Sequence, residues 1–188
     1  LVTRIHTLGF HFSSIDVRQD AALVHQNAFR QLPKAAQASL RDKSTPPDNG
    51  AEPQPPEAFL NSPKWQAKAI KVYEAATLAN AHSRAVQQES TDVLPMFQVA
   101  QAAQRLLGDP ACRNVILSLT RSAADVMAAL YLIQQAGLLQ VNAASQVTAS
   151  HMDITPLFEK SEALENAVQT MTTLFNNGLY RHHLAQRG

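Results

Sequence analysis

Three segments of similar pattern decide the fold expected of this chain: Ile15-Asp16-Val17-Arg18-Gln19-Asp20, Leu117-Ser118-Leu119-Thr120-Arg121-Ser122 and Ile154-Thr155-Pro156-Leu157-Phe158-Glu159. In each segment, strand-forming residues lead into an ionic or polar group, and a helical pattern follows. A strand followed by a crossover helix is the repeating unit of a parallel sheet. The loops after the carboxyl ends of such strands carry the chemistry of α/β folds. We therefore expect Arg18, Arg121 and Glu159 to converge on one face and to form an anion and metal site.

The spacing of apolar residues predicts three strands, over residues 8–17, 114–119 and 153–158. A helix is predicted over residues 21–31, and a second one opens with Ser122-x-x-Asp125, a variant of the capping box, and ends before Gly137. A last helix is expected to have Ser161 as its N-cap. Its apolar positions are expected to be Leu164, Val168, Met171 and Phe175. Together these elements predict a helix-dominated α/β fold with about three parallel strands.

The region between the first two strands differs in composition from the rest. Residues 41–60 are rich in proline, and we interpret them as a surface or disordered loop. Residues 64–108 carry two helical patterns, over about 65–88 and 92–107, with Thr91 as a candidate cap for the second. The two helices are expected to form an antiparallel hairpin inserted into the sheet topology.

Composition limits the classes of function. The chain has 188 residues and is 45% hydrophobic, so one domain with a core is expected. Its formal net charge is +1, so it has no long-range electrostatic field that would attract nucleic acid. No stretch reaches the roughly 20 apolar residues that span a bilayer, and no secretory leader is visible. The single cysteine, Cys112, is expected to be a half-buried structural thiol and is compatible with a cytoplasmic location. The pair His182-His183 is expected at the polar surface.

The residue types at the strand ends suggest distinct roles. Arg18 suits a phosphate because a guanidinium keeps its charge and donates two parallel hydrogen bonds; the alternative is a structural salt bridge. Glu159 is a hard oxygen donor suited to Mg²⁺ or Mn²⁺, and the alternative is a solvated acid at a helix start. For Arg121 we favour a loop contact or the alignment of a neighbouring group over direct substrate contact, because helix capping already explains Ser122 and Asp125.

The segment from Leu8-Gly9-Phe10-His11 to Asp20, the stretch from Ile116 to Val126, and Pro156-Leu157-Phe158-Glu159 with Leu164-Glu165-Asn166-Ala167 together resemble phosphoenolpyruvate carboxylase. The resemblance is strongest over residues 1–25 and 112–188, covers the middle part of that family, and implies a partial (β/α)₈ barrel of the TIM type. It implies that Arg18 binds the substrate phosphate. It also implies that Glu159 holds Mg²⁺ or Mn²⁺ with an aspartate from a later Ser-Asp motif. The family usually has serine where this chain has Ala21, and threonine where it has Lys160.

The implied reaction converts phosphoenolpyruvate and bicarbonate into oxaloacetate and phosphate, through carboxyphosphate and the enolate of pyruvate. This chain lacks the family's Thr-Ala-His-Pro and Gly-Arg-Gly-Gly motifs, and it starts at Leu1 rather than Met. We therefore expect residues 1–188 to be one internal fragment of a larger barrel enzyme, inactive alone, whose complete form is a cytoplasmic homo-oligomer. The alternative is a non-catalytic helical interaction module derived from such an enzyme.

Overall fold

The computed structural model describes residues 14–41, 60–79 and 93–188, and these ranges form a helix-dominated α/β fold. Five strands are present in them: β1 (Asp16–Asp20), β2 (Asn114–Ser118), β3 (Leu139–Val141), β4 (Val147–Ser150) and β5 (Asp153–Pro156). The α-helices are α1 (Ala21–Gln31), α2 (Lys34–Leu40), α3 (Pro63–Leu78), α4 (Leu94–Leu107), α5 (Ala123–Gln135), α6 (Ser161–Glu165), α7 (Ala167–Asn176) and α8 (Gly178–Arg187). None of the helices in the described ranges is long and apolar enough to cross a membrane.

The predicted parallel sheet is confirmed, with strand order β1-β2-β5. Residues Asp16 to Asp20 pair in register with Asn114 to Ser118, and Asn114 to Leu117 pair with residues 153–156. All three strands therefore end at the same edge, which we call the carboxyl edge. Closure of these strands into an eight-stranded barrel remains a prediction.

Helix α5 is the centre of the core. Twelve of its residues, 123–134, are buried, which is the behaviour of a helix that is covered on all sides. Helices α1, α3, α4 and α7 and strand β5 all contact it. The predicted capping box is present, because the Ser122 side chain accepts from the third backbone N–H of the helix while the Asp125 side chain accepts from the Ser122 backbone.

A hairpin of β3 and β4 follows α5 and supports the last helix. The reversal after α5 uses Gly137 at a φ of 77°, a left-handed conformation that favours glycine. Helix α8 packs against β4. Inside this contact the Ser150 hydroxyl and Nδ1 of His183 are 2.8 Å apart. His183 is only 1% exposed, so the expectation of a polar surface position was wrong for this residue.

Most predicted boundaries match, and the differences have physical causes. Helix α1 coincides with the predicted 21–31, and Asp20 caps it by accepting from the backbone N–H groups of Ala22 and Leu23. Strand β1 begins at Asp16 and continues to Asp20, so Arg18 lies within the strand rather than beyond it; residues 8–13 of the prediction are outside the described ranges. Ser161 is the first residue of α6 rather than its cap; the cap is Lys160, whose backbone is extended and whose side chain makes no capping hydrogen bond.

The last predicted helix is divided into α6 and α7 at Asn166, and its apolar face was misjudged. Leu164, Val168 and Phe175 are 65%, 79% and 51% exposed, so they are not core positions. Helices α3 and α4 confirm helical structure within 64–108. Residues 80–92, including the candidate cap Thr91, lie outside the described ranges, so the antiparallel hairpin remains a prediction. Of the predicted proline-rich loop at 41–60, residues 42–59 also lie outside the described ranges.

Candidate functional site

Arg18 and Glu159 meet at the carboxyl edge of the sheet. Nη2 of Arg18 donates to Oε1 of Glu159 at 2.9 Å, and Nε of Arg18 donates to the Ser118 hydroxyl at 2.5 Å. The side chains of Arg18 and Glu159 are 59% and 36% exposed, so the pair is open to solvent. The sequence analysis predicts that these two residues lie on one face, at the carboxyl ends of the strands, and the structure confirms that they do. The ion pair between Glu159 and Arg18 was not expected from the sequence.

The second oxygen of Glu159 is held by the loop after β2. Oε2 accepts from the backbone N–H of Leu119 at 2.7 Å. Leu119 has a φ of 55°, an uncommon conformation for a side chain of this size and one that turns the chain sharply at the strand end. The loop is tied to the Glu159 segment by backbone bonds, from Thr120 N to Leu157 O at 3.0 Å and from Leu157 N to Leu117 O at 3.0 Å. Glu159 is therefore positioned by two adjacent strand-end loops.

Arg121 points away from this pair and into a buried network. Its Nη2 donates to Oδ1 of Asp125 at 2.7 Å, and its Nε and backbone N–H donate to Oδ2 at 3.2 and 2.9 Å. Nδ1 of His25 lies 3.0 Å from Oδ1 of the same carboxylate. Arg121 thus does not join Arg18 and Glu159. Its contact is with Asp125, in the first turn of the helix that follows its own loop.

The electrostatics of the buried network follow from its hydrogen bonds. Burial opposes ionisation of Asp125, but hydrogen bonds and positive charge from His25 and Arg121 outweigh that effect and hold its pKa below the usual range. The ring of His25 is packed against Trp65 and Tyr73, with ring centroids 5.0 and 5.2 Å apart, and its Nε2 is buried without a hydrogen-bond partner. The ionised Asp125 fixes the conformation of residues 121–125 and, through that loop, the N–H that holds Glu159.

Sequence reasoning missed His25 as a member of this network. It lies on α1, 100 residues before its partner Asp125. The available signal was its position in the helix, which places it near the buried Val24, Ala28 and Phe29. A histidine on a buried helix face needs a polar partner, and a carboxylate at a predicted helix start was a candidate for that role.

An arginine–acid cluster also occupies the opposite, amino-terminal edge of the sheet. Arg113 precedes β2, and its Nε donates to Oδ2 of Asp153 at 3.3 Å. Arg187 of α8 donates to both oxygens of Asp153, at 2.5 and 2.9 Å. The hydrogen bond from Arg187 is the main cause of a lowered Asp153 pKa. This cluster joins α8 to the start of β5 and lies at the end of the sheet remote from the chemistry expected of strand-end loops.

The residues present supply one part of a metal site. A carboxylate has about four lone-pair positions, and Glu159 uses one per oxygen, so each oxygen can still accept a ligand. Magnesium and manganese are suited to such oxygen donors and retain several waters. Within residues 14–41, 60–79 and 93–188, no three His, Cys, Asp or Glu side chains are grouped as a metal site. Glu159 fits as one ligand of such an ion, and the part of the chain that the structure describes does not complete the site.

Comparison with known proteins identifies the family of this chain. A family model described as phosphoenolpyruvate carboxylase matches residues 1–188. Curated phosphoenolpyruvate carboxylases are similar over nearly the whole chain. The enzyme of Prochlorococcus marinus (strain AS9601) is 27% identical over 188 residues. The enzyme of Azoarcus sp. (strain BH72) is 31% identical over 97% of the chain, and that of Aromatoleum aromaticum is 32% identical over 96% of it. The chain spans only 17–18% of the length of these relatives. By the match of the family model over its full length, this chain belongs to the phosphoenolpyruvate carboxylase family.

Proposed function

We propose that this chain is an internal segment of an enzyme that converts phosphoenolpyruvate and bicarbonate into oxaloacetate and phosphate. The observation that carries the proposal is the contact between Arg18 and Glu159 at the carboxyl edge of a parallel sheet, in a chain that belongs to this family. A cation for phosphate and a carboxylate with hard oxygen donors for a divalent ion are the two groups that this chemistry needs side by side. The proposal includes a carbon–carbon lyase class, a TIM-type barrel in the complete protein, a cytoplasmic location and a homo-oligomeric state.

Arg18 would bind the phosphate of the substrate. Its Nε and one Nη2 hydrogen are used by Ser118 and Glu159, and no group in the described part of the chain accepts from Nη1. Nη1 and the second Nη2 hydrogen form an open edge, which can donate two parallel bonds to a phosphate. The Ser118 hydroxyl fixes the direction of that edge, so the guanidinium would be oriented before the substrate arrives.

Glu159 would hold Mg²⁺ or Mn²⁺ together with a carboxylate from outside this chain. When bound, such an ion would supply positive charge where negative charge develops on the substrate. The Leu119 N–H bond holds the carboxylate in place, and each of its two oxygens keeps a lone pair for the ion. Since one exposed carboxylate competes poorly with the hydration shell of either ion, the 188-residue chain alone should bind them weakly and form no oxaloacetate.

The test is bicarbonate-dependent oxaloacetate formation by the full-length protein that contains this segment. Glu159→Gln keeps the shape and the Leu119 bond but removes the charge, and we expect it to abolish metal-dependent activity with the fold intact. Glu165→Gln is the matched control, because Glu165 is an exposed acid on the nearby α6. A Glu159→Gln enzyme with an unchanged manganese titration would contradict the metal role, and a wild-type protein without the activity would contradict the function.

A further inference from the structure

A cavity of about 410 Å³ lies between the start of α5, one side of α3 and helices α6 and α7. Neither Arg18, Ser118 nor Glu159 lines it, so it is separate from the site at the sheet edge. Its volume is at the lower end of the range typical of small-molecule sites. The cavity is therefore a place where a small ligand could bind without occupying the proposed substrate site.

Two cations line this cavity, one from each loop that positions Glu159. Lys160 follows Glu159 in an extended conformation, with φ −92° and ψ 145°, so the two consecutive side chains point to different sides of the loop. No acid in the described part of the chain forms an ion pair with Lys160. Arg121 also lines the cavity, and Asp125 uses its Nε and Nη2 but leaves Nη1 free to donate. The cavity thus has two cationic donors in its lining, Nζ of Lys160 and Nη1 of Arg121.

The remaining lining combines neutral polar side chains with small and apolar ones such as Ala67 and Ile70. Gln66 of α3 and Gln169 of α7 both line the cavity. The amide NH₂ of Gln66 donates to Leu60 O and that of Gln169 to the Thr173 hydroxyl, so their amide oxygens remain to accept from hydroxyl groups of a ligand. One acid, Glu162, is among the lining residues. A carboxylate there accepts hydrogen bonds from hydroxyls and repels a second negative charge. The lining therefore favours a ligand with a single acidic group and several hydroxyls.

We propose that this cavity binds a hydroxylated monocarboxylic acid of the sugar-acid class, with its carboxylate between Arg121 and Lys160. Its hydroxyls bond to Gln66, Gln169 and Glu162. This also gives Lys160 a function in the cavity. The assignment does not depend on the carboxylase activity, because binding is measured without turnover.

The test is calorimetric titration of the full-length protein that contains this segment with D-gluconate at constant ionic strength, with D-glucitol and inorganic phosphate as comparison ligands. We expect saturable gluconate binding, no binding of the neutral glucitol, and weaker binding of phosphate. Lys160→Gln should weaken gluconate binding about tenfold, the scale of one charge-assisted contact. Lys71→Gln is the matched control, since Lys71 is an exposed lysine on α3 that does not line the cavity, and it should have no effect.

A second variant keeps both cations and fills the space instead. Ala67 is exposed and lines the cavity, so Ala67→Phe should block gluconate without disturbing the core. Circular dichroism of each variant would check that the fold is unchanged. Absence of saturable gluconate binding, equal affinity in Lys160→Gln, or phosphate binding as tightly as gluconate would each overturn the proposal, and none of these results would bear on the proposed carboxylase function.

Discussion

Asp125→Asn should be among the most destabilising single-atom changes available in this chain. The two carboxylate oxygens accept from five donors: Nδ1 of His25, three N–H groups of Arg121, and the Ser122 backbone at 3.3 Å. An amide of the same shape offers one oxygen, so its NH₂ would face donors. The side chain is 2% exposed, so water cannot replace the lost bonds, and Arg121 would keep a charge without its partner. Breaking a buried pair of this kind costs about 3–5 kcal/mol.

The matched control for this prediction is Asp109→Asn. Asp109 also lies 3.0 Å from Nδ1 of a histidine, His151, but its side chain is 55% exposed. An exposed pair is worth about 0–1 kcal/mol. The assay is urea unfolding at pH 7, followed by circular dichroism. If Asp125→Asn lowers the free energy of unfolding by no more than Asp109→Asn does, the buried network does not hold the 121–125 loop in the way described.

Two further predictions concern stability. Burial, with a smaller contribution from the charge of Arg187, lowers the pKa of His183 to about 4 from its usual 6.5. Between these two pH values the folded state therefore binds fewer protons than the unfolded state. The free energy of unfolding should fall by about 3 kcal/mol as the pH drops from 6.5 to 4. His183→Gln should flatten that part of the curve of unfolding free energy against pH, and an unchanged slope would contradict the assignment. Gly137→Ala should lower the free energy of unfolding by about 1 kcal/mol or more, because φ is 77° and an added Cβ would lie 2.4 Å from Nε2 of Gln101. Gly178→Ala, with its nearest atom 4.0 Å from the added Cβ, is the control, and an equal loss in the two variants would count against the strain at Gly137.

Local patterns in the sequence were sufficient for the elements that position the site. The capping box at Ser122 and the strand-ending motifs are short-range signals, so the parallel sheet and the meeting of Arg18 with Glu159 could be expected. The hydrogen bond from Leu119 N–H to Glu159 could not be expected. It depends on a left-handed backbone conformation at Leu119, and this conformation is usually signalled in a sequence by glycine. The sequence contains the groups, but their hydrogen-bond partners are set by loop conformation.

Burial was harder to predict than secondary structure. His183 is buried because α8 packs on β4, a contact between elements that are more than 25 residues apart in sequence. Leu164 and Val168 have helical spacing but are exposed, because the helix divides at Asn166 and its other side faces the core. Periodicity identifies an apolar stripe, whereas the contacts of the stripe depend on tertiary packing.

The most direct test of the proposed site is the phosphoenolpyruvate saturation curve of the full-length protein with Arg18→Lys. Lysine keeps the charge but loses the parallel donor edge, a difference of about 1.5–3 kcal/mol for a charged contact, so we predict a rise of about ten- to a hundredfold in the substrate concentration at half-saturation. Arg113→Lys is the matched control, because Arg113 also pairs with an acid but lies at the opposite edge of the sheet, and it should leave the curve unchanged. An Arg18→Lys enzyme with the wild-type curve, or equal shifts in both variants, would contradict the assignment of Arg18 to the substrate phosphate.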